Sequence, residues 1–332
     1  MAEPLSLLVP DRIENEFTMP DANLLIIHQG ALGDFILTFP AITRLHGYYK
    51  PIDVLCQSQP GKLAKALGMV KNWYPAEAAS FASLFSDQID PKIKTILEQY
   101  DKVLIFTLSD QLEQSINSVS ANLSCRLSPK PPADQRIHVA QFILENISNC
   151  GLIKQADATL EDIPLPERKG QPQNLRKILL HPGAGSIRKR WALSNFLIVE
   201  SMLKAAGLKP EFVLGPAERD LAEALQQRDR PLYILDDLLD LVVLLKSAGG
   251  YIGNDSGASH LAAYSGLATT VIFGPADPER WAPIGRAVKI VRPSLQCNPC
   301  FETEPANCDG LLCLEGTNPQ KVIDAFFSVY RR

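Results

Sequence analysis

Short apolar runs alternate with helical patterns along this chain in two series, one over residues 23–150 and the other over residues 177–273. The apolar runs predict buried strands over residues 23–28, 52–56, 102–106, 177–181, 210–214, 232–235, 251–253 and 269–273. Helices are predicted over residues 34–46, 136–150, 194–206, 217–226, 237–248 and 258–265. Strand–helix alternation is typical of parallel sheets with helices on both faces. We therefore expect an α/β protein of two Rossmann-like, doubly wound domains facing a central cleft, where ligands bind.

The composition changes over residues 161–174, which hold three prolines, one glycine and five charged residues. Such a stretch is typical of a linker. At ~150 residues per domain, a chain of 332 residues has the length of two domains. We predict a first domain over residues 1–165 and a second over residues 166–317. A last helix is predicted within residues 318–332, with Asn318 as its cap and Pro319 as its first residue.

The net charge is −4 and the isoelectric point is about 5.8. Nucleic-acid-binding proteins usually carry a basic excess, so no nucleic-acid partner is expected. No apolar run approaches the ~18 residues that cross a bilayer, and residues 1–17 lack the basic and apolar parts of a secretory signal. We expect a cytoplasmic protein, which still allows peripheral contact with the inner face of the inner membrane.

A polar turn over residues 254–257 separates a predicted strand from a small-residue helix. Backbone N–H groups at a helix start are unpaired, and the helix dipole adds positive charge there. Asp255, Ser256 and Gly257 are therefore candidates for a diphosphate site, and His260, one turn later, could donate to the same phosphate. The alternative is that Asp255 or Ser256 only caps the helix and that His260 lies on the surface.

A second loop, over residues 181–191, combines small residues with three consecutive cations. Gly183, Gly185 and Ser186 would allow the backbone to approach a ligand closely. The cations at residues 188–190 could neutralise a leaving diphosphate. The alternative is a solvated basic loop.

Two carboxylates stand near the ends of other predicted strands. Asp34 follows Gly30 and Gly33 in a loop that lacks the G-x-G-x-x-G fingerprint of dinucleotide sites. It is either a helix cap or a general base that projects into the cleft. Glu218 lies where a ribose-binding acid would lie in a doubly wound domain, or is a solvated residue of a first helical turn.

The chain has seven cysteines, and an odd number without a secretory signal argues against a disulfide framework. Four of them, Cys297, Cys300, Cys308 and Cys313, fall within 17 residues. Four thiolates could hold a structural zinc ion. Reduced thiols, a local disulfide or an iron–sulfur cluster are the alternatives.

Three of these segments carry family motifs. D-S-G-x-x-H-x-A-A-x-x-G…F-G-P-x-x-P-x-x-W-x-P covers residues 255–283, H-P-G-A-x-x-x-x-K-x-W residues 181–191, and G-x-x-G-D-x-x-x-x-x-P residues 30–40. Together, in this order, they resemble glycosyltransferase family nine, the ADP-heptose:lipopolysaccharide heptosyltransferases. The resemblance departs from the family at His28 and Gln29, where members often carry Arg.

The resemblance implies a GT-B architecture, with the donor held mainly by the second domain and the acceptor by the first. It implies an inverting transferase that moves heptose from ADP-heptose to a lipopolysaccharide-core or related glycan and needs no metal or other cofactor for catalysis. It also implies that the last helix packs back on the first domain. Another nucleotide sugar and acceptor, or a nucleotide-sugar-binding protein without activity, are the alternatives.

The resemblance also assigns roles to the candidate residues. Asp34 would match the catalytic base, Lys189 the cation for the donor phosphate, and Glu218 the contact to the ribose. The diphosphate turn would consist of Asp255, Ser256, Gly257 and His260, and Ser186 would belong to the same donor site.

Overall fold

The computed structural model describes residues 22–86, 88–119, 124–168, 174–293, 299–301 and 312–330. The chain divides into two compact units, Met1–Pro164 and Leu165–Arg332. The division lies inside the proline-rich stretch that indicates a linker, next to the predicted boundary after residue 165. Within the described ranges, no helix is long and apolar enough to cross a membrane.

The first unit is built on a five-stranded parallel sheet with the order β3-β2-β1-β4-β5. Its strands are β1 Leu24–His28, β2 Ile52–Cys56, β3 Asn72–Pro75, β4 Lys102–Phe106 and β5 Ser124–Leu127. Its helices are α1 Leu32–Ile36, α2 Phe39–Leu45, α3 Ser58–Ala66, α4 Pro91–Leu97, α5 Asp110–Asn117 and α6 Val139–Asn149. Every residue of β1 and β2 is buried, as expected for strands covered on both faces.

Two details of this unit differ from the predictions. The single helix predicted over residues 34–46 is two helices, α1 and α2, because Pro40 lacks an N–H and stands in the first turn of α2. Cys125 and Cys150 form a disulfide, so the argument against disulfides from the odd cysteine count was wrong here. The fold brings β5 and the end of α6 together, and the two Cα atoms are 6.3 Å apart, within bridging range.

The second unit has a six-stranded parallel sheet with the order β11-β10-β9-β6-β7-β8. Its strands are β6 Asn174–His181, β7 Lys209–Leu214, β8 Leu232–Ile234, β9 Ala248–Asn254, β10 Ala268–Ile272 and β11 Val288–Val291. Its helices are α7 Leu193–Ala205, α8 Arg219–Gln226, α9 Leu238–Ser247, α10 Gly257–Tyr264, α11 Pro278–Trp281, α12 Leu312–Glu315 and α13 Pro319–Tyr330. This is the doubly wound Rossmann order, whose topological switch point lies between β6 and β9.

The last helix, α13, packs on the sheet of the second unit, whereas the prediction placed it on the first domain. Its buried residues Val322, Ile323 and Phe326 join the core of the second unit. The Phe326 ring lies so close to Gly250 in β9 that a Cβ there would stand 2.7 Å from it. The absence of a side chain at Gly250 therefore leaves room for the Phe326 ring. Burial of the apolar face of α13 holds the helix on this sheet.

Candidate functional site

The carboxyl ends of β6 and β9 lie side by side, with His181 paired to Gly253 in the register of the two strands. Ligands of doubly wound sheets bind at this switch point. Two loops continue from it: residues 182–191 follow β6, and residues 255–256 connect β9 to α10. The predicted donor residues of both loops thus meet at one edge of the second unit.

Ser256 begins α10 as its N-cap, and its Oγ accepts a hydrogen bond from the Ser259 N–H at 3.4 Å. The capping interpretation of this serine is therefore correct. Gly257 and Ala258 precede the first intrahelical hydrogen bond, so their N–H groups belong to the positive end of the helix. His260 is buried, contrary to the surface alternative. The turn thus retains the backbone arrangement that binds anions.

The strongest charge contact of the site joins the two loops. Lys189 Nζ lies 2.8 Å from Asp255 Oδ2, and the Asp255 side chain is 5 % exposed. Burial raises the pKa of Asp255, against the lowering effect of Lys189. Lys189 ends a short 3-10 helix, Ile187–Lys189, whose N-cap Ser186 accepts from the Arg188 N–H at 3.3 Å. Ser186 therefore shapes the turn that presents Lys189.

A second network surrounds Glu218, which is buried and not solvated. Its Oε2 accepts from the Gly215 N–H at 2.7 Å and lies 3.7 Å from His181 Nε2. Burial would raise the pKa of Glu218, but the contact with His181 lowers it below its ordinary value. The other ring nitrogen of His181, Nδ1, is 3.4 Å from Ser256 Oγ. His181 thus connects the Glu218 carboxylate to the start of α10.

The approach of Glu218 to the loop requires a glycine at position 183. A Cβ there would stand 2.2 Å from Glu218 Cγ. Any side chain at this position would force Glu218 away from Gly215 and His181. By contrast, a Cβ at Gly185 would meet no atom within 4 Å. Gly183 is therefore required for the position of Glu218, whereas the position of Gly185 has room for a side chain.

Sequence reasoning missed Asn254, the fully buried last residue of β9. Its Oδ1 accepts from the Trp191 N–H at 3.2 Å, and its Nδ2 donates to the Pro182 carbonyl at 2.8 Å. One amide therefore fastens both ends of the cationic loop to the central strand. Tyr251 was missed as well: its ring stacks on His181 and its hydroxyl lies 3.2 Å from Ser259 Oγ. A signal was present for Tyr251, whose polar hydroxyl falls inside the run predicted to be a buried strand, whereas Asn254 was predicted to belong to the polar turn over residues 254–257.

Asp34, Gly30 and Gly33 lie in the first unit, at the carboxyl end of β1. Asp34 is the third residue of α1, and its Oδ2 accepts from the N–H of the N-cap residue Ala31 at 3.2 Å, so its carboxylate caps the helix, as the capping alternative predicted, although from the third helical position. The side chain is half-buried. His28, the last residue of β1, is buried, and its Nδ1 accepts from the Gly30 N–H at 3.3 Å. Burial lowers the pKa of His28 to about 4, so the imidazole is neutral at physiological pH.

A cavity of about 240 Å³ opens at the same edge of the first unit. Gln29, the residue after β1, lines it together with the apolar side chains Phe81 and Phe85. Glu77 is the one ionisable residue among those that line it. The cavity therefore offers aromatic surface and a few polar groups, a combination that suits a sugar ring.

The predicted zinc site is described only in part. Cys300 and Cys313 lie within the described residues, whereas Cys297 and Cys308 lie outside them. Over the described ranges, no group of three or more His, Cys, Asp or Glu side chains is placed to hold a metal ion. Cys300 Sγ accepts from Arg188 Nη2 at 3.8 Å, so this thiol adjoins the cationic loop.

Comparison with known proteins gives a family match. Residues 153–308 match the family described as glycosyltransferase family 9 (heptosyltransferase). A curated relative, lipooligosaccharide heptosyltransferase 2 from Campylobacter jejuni, is 29% identical over 162 residues, which are 46% of this chain and 50% of the relative. The chain thus matches about half the length of this relative.

Solved structures resemble the chain over most of its length. The glycosyltransferase family 9 protein of Veillonella parvula has a TM-score of 0.72 at 14% identity and covers 96% of this chain and 99% of its own. E. coli ADP-heptose lps heptosyltransferase II has a TM-score of 0.68 at 16% identity, with 93% and 98% covered. TibC of enterotoxigenic E. coli, described as an iron-containing dodecameric glycosyltransferase, has a TM-score of 0.57 at 14% identity, with 94% and 76% covered. The predicted α/β, GT-B fold class and the resemblance to the family are confirmed.

Proposed function

Residues 153–308 place this chain with glycosyltransferase family 9, and from this premise we propose that it transfers a sugar from a nucleotide sugar to a glycan acceptor. The donor that we propose is ADP-heptose, because the Campylobacter relative and the E. coli structure are both named as heptosyltransferases. The acceptor is a lipopolysaccharide-core or related glycan.

The observation that carries the proposal is the Lys189–Asp255 pair beside the start of α10. A nucleoside diphosphate needs positive charge at its two phosphates, and a lysine next to a helix N-terminus supplies it without a metal ion. Asp255 fixes the ammonium while the N–H groups of α10 remain directed at the ligand. When the sugar leaves, these same groups stabilise the charge that develops on the diphosphate.

The rest of the donor has matching partners in the second unit. Glu218 is held in its ionised form by its neighbours, so its second oxygen can accept from a ribose hydroxyl. His260 is assigned to the diphosphate, as the family motif implies. Ser186 shapes the turn that carries Lys189. We therefore assign the donor site to Lys189, Ser186, Glu218 and the turn from Asp255 to His260, through Ser256 and Gly257.

In the transfer step, the Asp34 carboxylate takes the proton of an acceptor hydroxyl. The freed oxygen forms a bond to the anomeric carbon while the bond from that carbon to the diphosphate oxygen breaks, and ADP leaves with the electron pair. The attack inverts the anomeric configuration. Asp34 is suited to this role because its half-buried carboxylate lies in α1, just after the carboxyl end of β1.

No metal is required for this chemistry in our proposal. We assign Cys297, Cys300, Cys308 and Cys313 to a structural zinc site, supported by their spacing, four cysteines within 17 residues. Elemental analysis for zinc and iron on purified, chelator-washed protein tests this assignment, and the absence of both metals would contradict it. We also propose a cytoplasmic enzyme that meets a lipid-linked acceptor at the inner membrane surface.

The test of the main proposal is calorimetric titration of the whole protein with ADP, UDP and GDP, with and without Mg²⁺. Selective, metal-independent binding of ADP is the expected result. Preference for UDP or GDP would retain the fold and mechanism and replace the sugar. Binding of a nucleotide without turnover on any glycan acceptor would favour a non-catalytic binding protein, and binding of none would refute the proposed donor site.

A further inference from the structure

A short stretch of chain, residues 299–301, lies against the donor site from outside the family motifs. The N–H groups of Cys300 and Phe301 both donate to the Pro275 carbonyl, at 2.9 and 3.0 Å. Two hydrogen bonds to one carbonyl fix the direction of the backbone at Phe301. These bonds place the Phe301 side chain next to the F-G-P motif, residues 273–275, which directly follows β10.

One part of the Phe301 ring packs on the protein interior. It contacts a small apolar cluster whose buried members are Val271, Phe273 and Ala276, together with the half-buried Trp281 and Ile290. These contacts hold the ring in place, since a packed aromatic side chain has few rotamers to lose. The ring is thus half-buried, with one side covered by this cluster.

The ring also faces the cationic loop. Lys189 Nζ lies 4.2 Å from the ring centroid, and the guanidinium carbon of Arg188 lies 5.6 Å from it. Both distances are within the range in which a cation is attracted to an aromatic face. The ammonium of Lys189 therefore has two partners, the Asp255 carboxylate at 2.8 Å and the Phe301 ring.

The two partners act differently on an incoming anion. Asp255 holds Lys189 but offsets its charge, which weakens the attraction for a diphosphate. Phe301 holds the same ammonium through a neutral ring and leaves its charge available. A lysine side chain has four rotatable bonds, so a partner that restrains it without neutralising it lowers the entropy lost on binding.

We propose that Phe301 is a positioning residue of the donor site, which restrains Lys189 for the diphosphate. The inference rests on the proposed function, because it takes a nucleoside diphosphate as the ligand of Lys189. Phe301 touches neither the reacting atoms nor the sugar in this proposal. Its effect passes through Lys189, and this dependence is what an experiment can detect.

The experiment is calorimetric binding of ADP to the whole protein and to a set of variants. Phe301→Leu keeps apolar packing and removes the aromatic face, and we expect it to raise the Kd for ADP about fivefold. Phe301→Tyr and Phe301→Trp keep the face and should bind within about twofold of the wild type. Ile290→Val is the matched control, because it trims the same apolar cluster without touching the ring face over Lys189, and it should leave the Kd unchanged.

The decisive measurement is a double-mutant cycle with Lys189→Met. If Phe301 acts through Lys189, the double variant binds ADP as weakly as Lys189→Met alone. Additive losses, or a Phe301→Leu variant that binds like the wild type, would overturn the inference and leave the donor site intact. A wild-type protein that binds no ADP would overturn the proposed function and this inference with it. Should Phe301→Leu be unfolded by circular dichroism, Phe301→Met provides the same comparison.

Discussion

The first strand of each sheet, β1 in the first unit and β6 in the second, ends in a buried histidine followed by a glycine-containing loop. The two histidines have different neighbours. His28 lies between the rings of Phe35 and Phe106, each with its centroid 5.3 Å away. His181 lies between the Glu218 carboxylate and the Ser256 hydroxyl. The same position in the two sheets is thus apolar in one unit and polar in the other.

This difference matches the chemistry that we propose for the two edges. The second unit gathers charged and polar groups, the Lys189–Asp255 ion pair and the Glu218 carboxylate beside His181, at the edge proposed for an anionic diphosphate. In the first unit Asp34 accepts a backbone N–H, next to a neutral His28. An acceptor hydroxyl is uncharged, and a base for it needs a carboxylate more than a set of cations.

Replacement of Asp34 should have the largest effect, and on turnover alone. Asp34→Asn keeps the size of the side chain and an oxygen that can accept from the Ala31 N–H. It removes the base, so we expect the transfer rate to fall about 10³-fold. Steady-state kinetics with donor and acceptor measure this rate. The Kd for ADP, measured in parallel, should remain within about twofold of the wild type, and transfer at the normal rate would show that another group is the base.

Replacement of Lys189 should act on the other edge and on binding. Lys189→Met removes the cation and leaves the Asp255 carboxylate buried without its partner. We expect the Kd for ADP to rise about 30-fold, which corresponds to ~2 kcal/mol. Titration calorimetry measures the change.

The matched control for this variant is Lys204→Met. Lys204 also pairs with a buried carboxylate, Glu200 at 2.6 Å, but on α7, outside the candidate site, and Glu200 keeps a second cation, Arg230, at 3.3 Å. Its loss should leave ADP binding unchanged. Equal losses of affinity in the two variants would mean that general destabilisation, and not the anion site, explains the result.

The two histidines also allow a pH test of the comparison. Burial lowers the pKa of His28 from 6.5 to about 4, so the unfolded chain takes up a proton near pH 6.5 and the folded unit does so only near pH 4. The free energy of unfolding is therefore highest, as far as His28 determines it, above pH 6.5. It decreases as the pH falls from 6.5 towards 4. Between pH 7 and pH 5.5 we expect the first unit to lose about 1 kcal/mol of stability from this group.

Hydrogen–deuterium exchange of β1 peptides, corrected for intrinsic exchange rates, measures this loss, and His28→Gln should reduce it. Peptides of β6 provide the internal reference in the same sample, because the substitution lies in the other unit. Equal acid sensitivity of β1 in the wild type and in His28→Gln would show that another group controls it.

Eight of the described strands were predicted, because buried parallel strands appear as short apolar runs, whereas the edge strands β3, β5 and β11 were missed. The family motifs, and not the strand pattern, assigned the loops after β6 and β9 to one donor site, and the structure brings Lys189 and Asp255 of these loops together. Prediction from the sequence failed where a long-range fit decides the outcome. The apolar face of α13 does not show by its pattern which sheet it covers, and the structure packs it on the second unit, with Phe326 over Gly250. Likewise, no local sequence pattern indicates that Asn254 holds, by a hydrogen bond, a loop more than 60 positions away.

The smallest effect that we predict concerns two helix caps of equal geometry. Ser256 Oγ accepts from the Ser259 N–H, and Ser109 Oγ in the first unit accepts from the Leu112 N–H, both at 3.4 Å. Loss of either cap should cost roughly 0.5–1 kcal/mol of stability. Since only α10 begins at the proposed diphosphate site, Ser256→Ala should also weaken ADP binding about threefold, whereas Ser109→Ala should not change it. Thermal unfolding and calorimetry on the two variants separate the contributions. Unchanged affinity for ADP in both variants would show that Ser256 acts only as a helix cap. Its hydroxyl would then add nothing to the anion binding by the backbone N–H groups of α10.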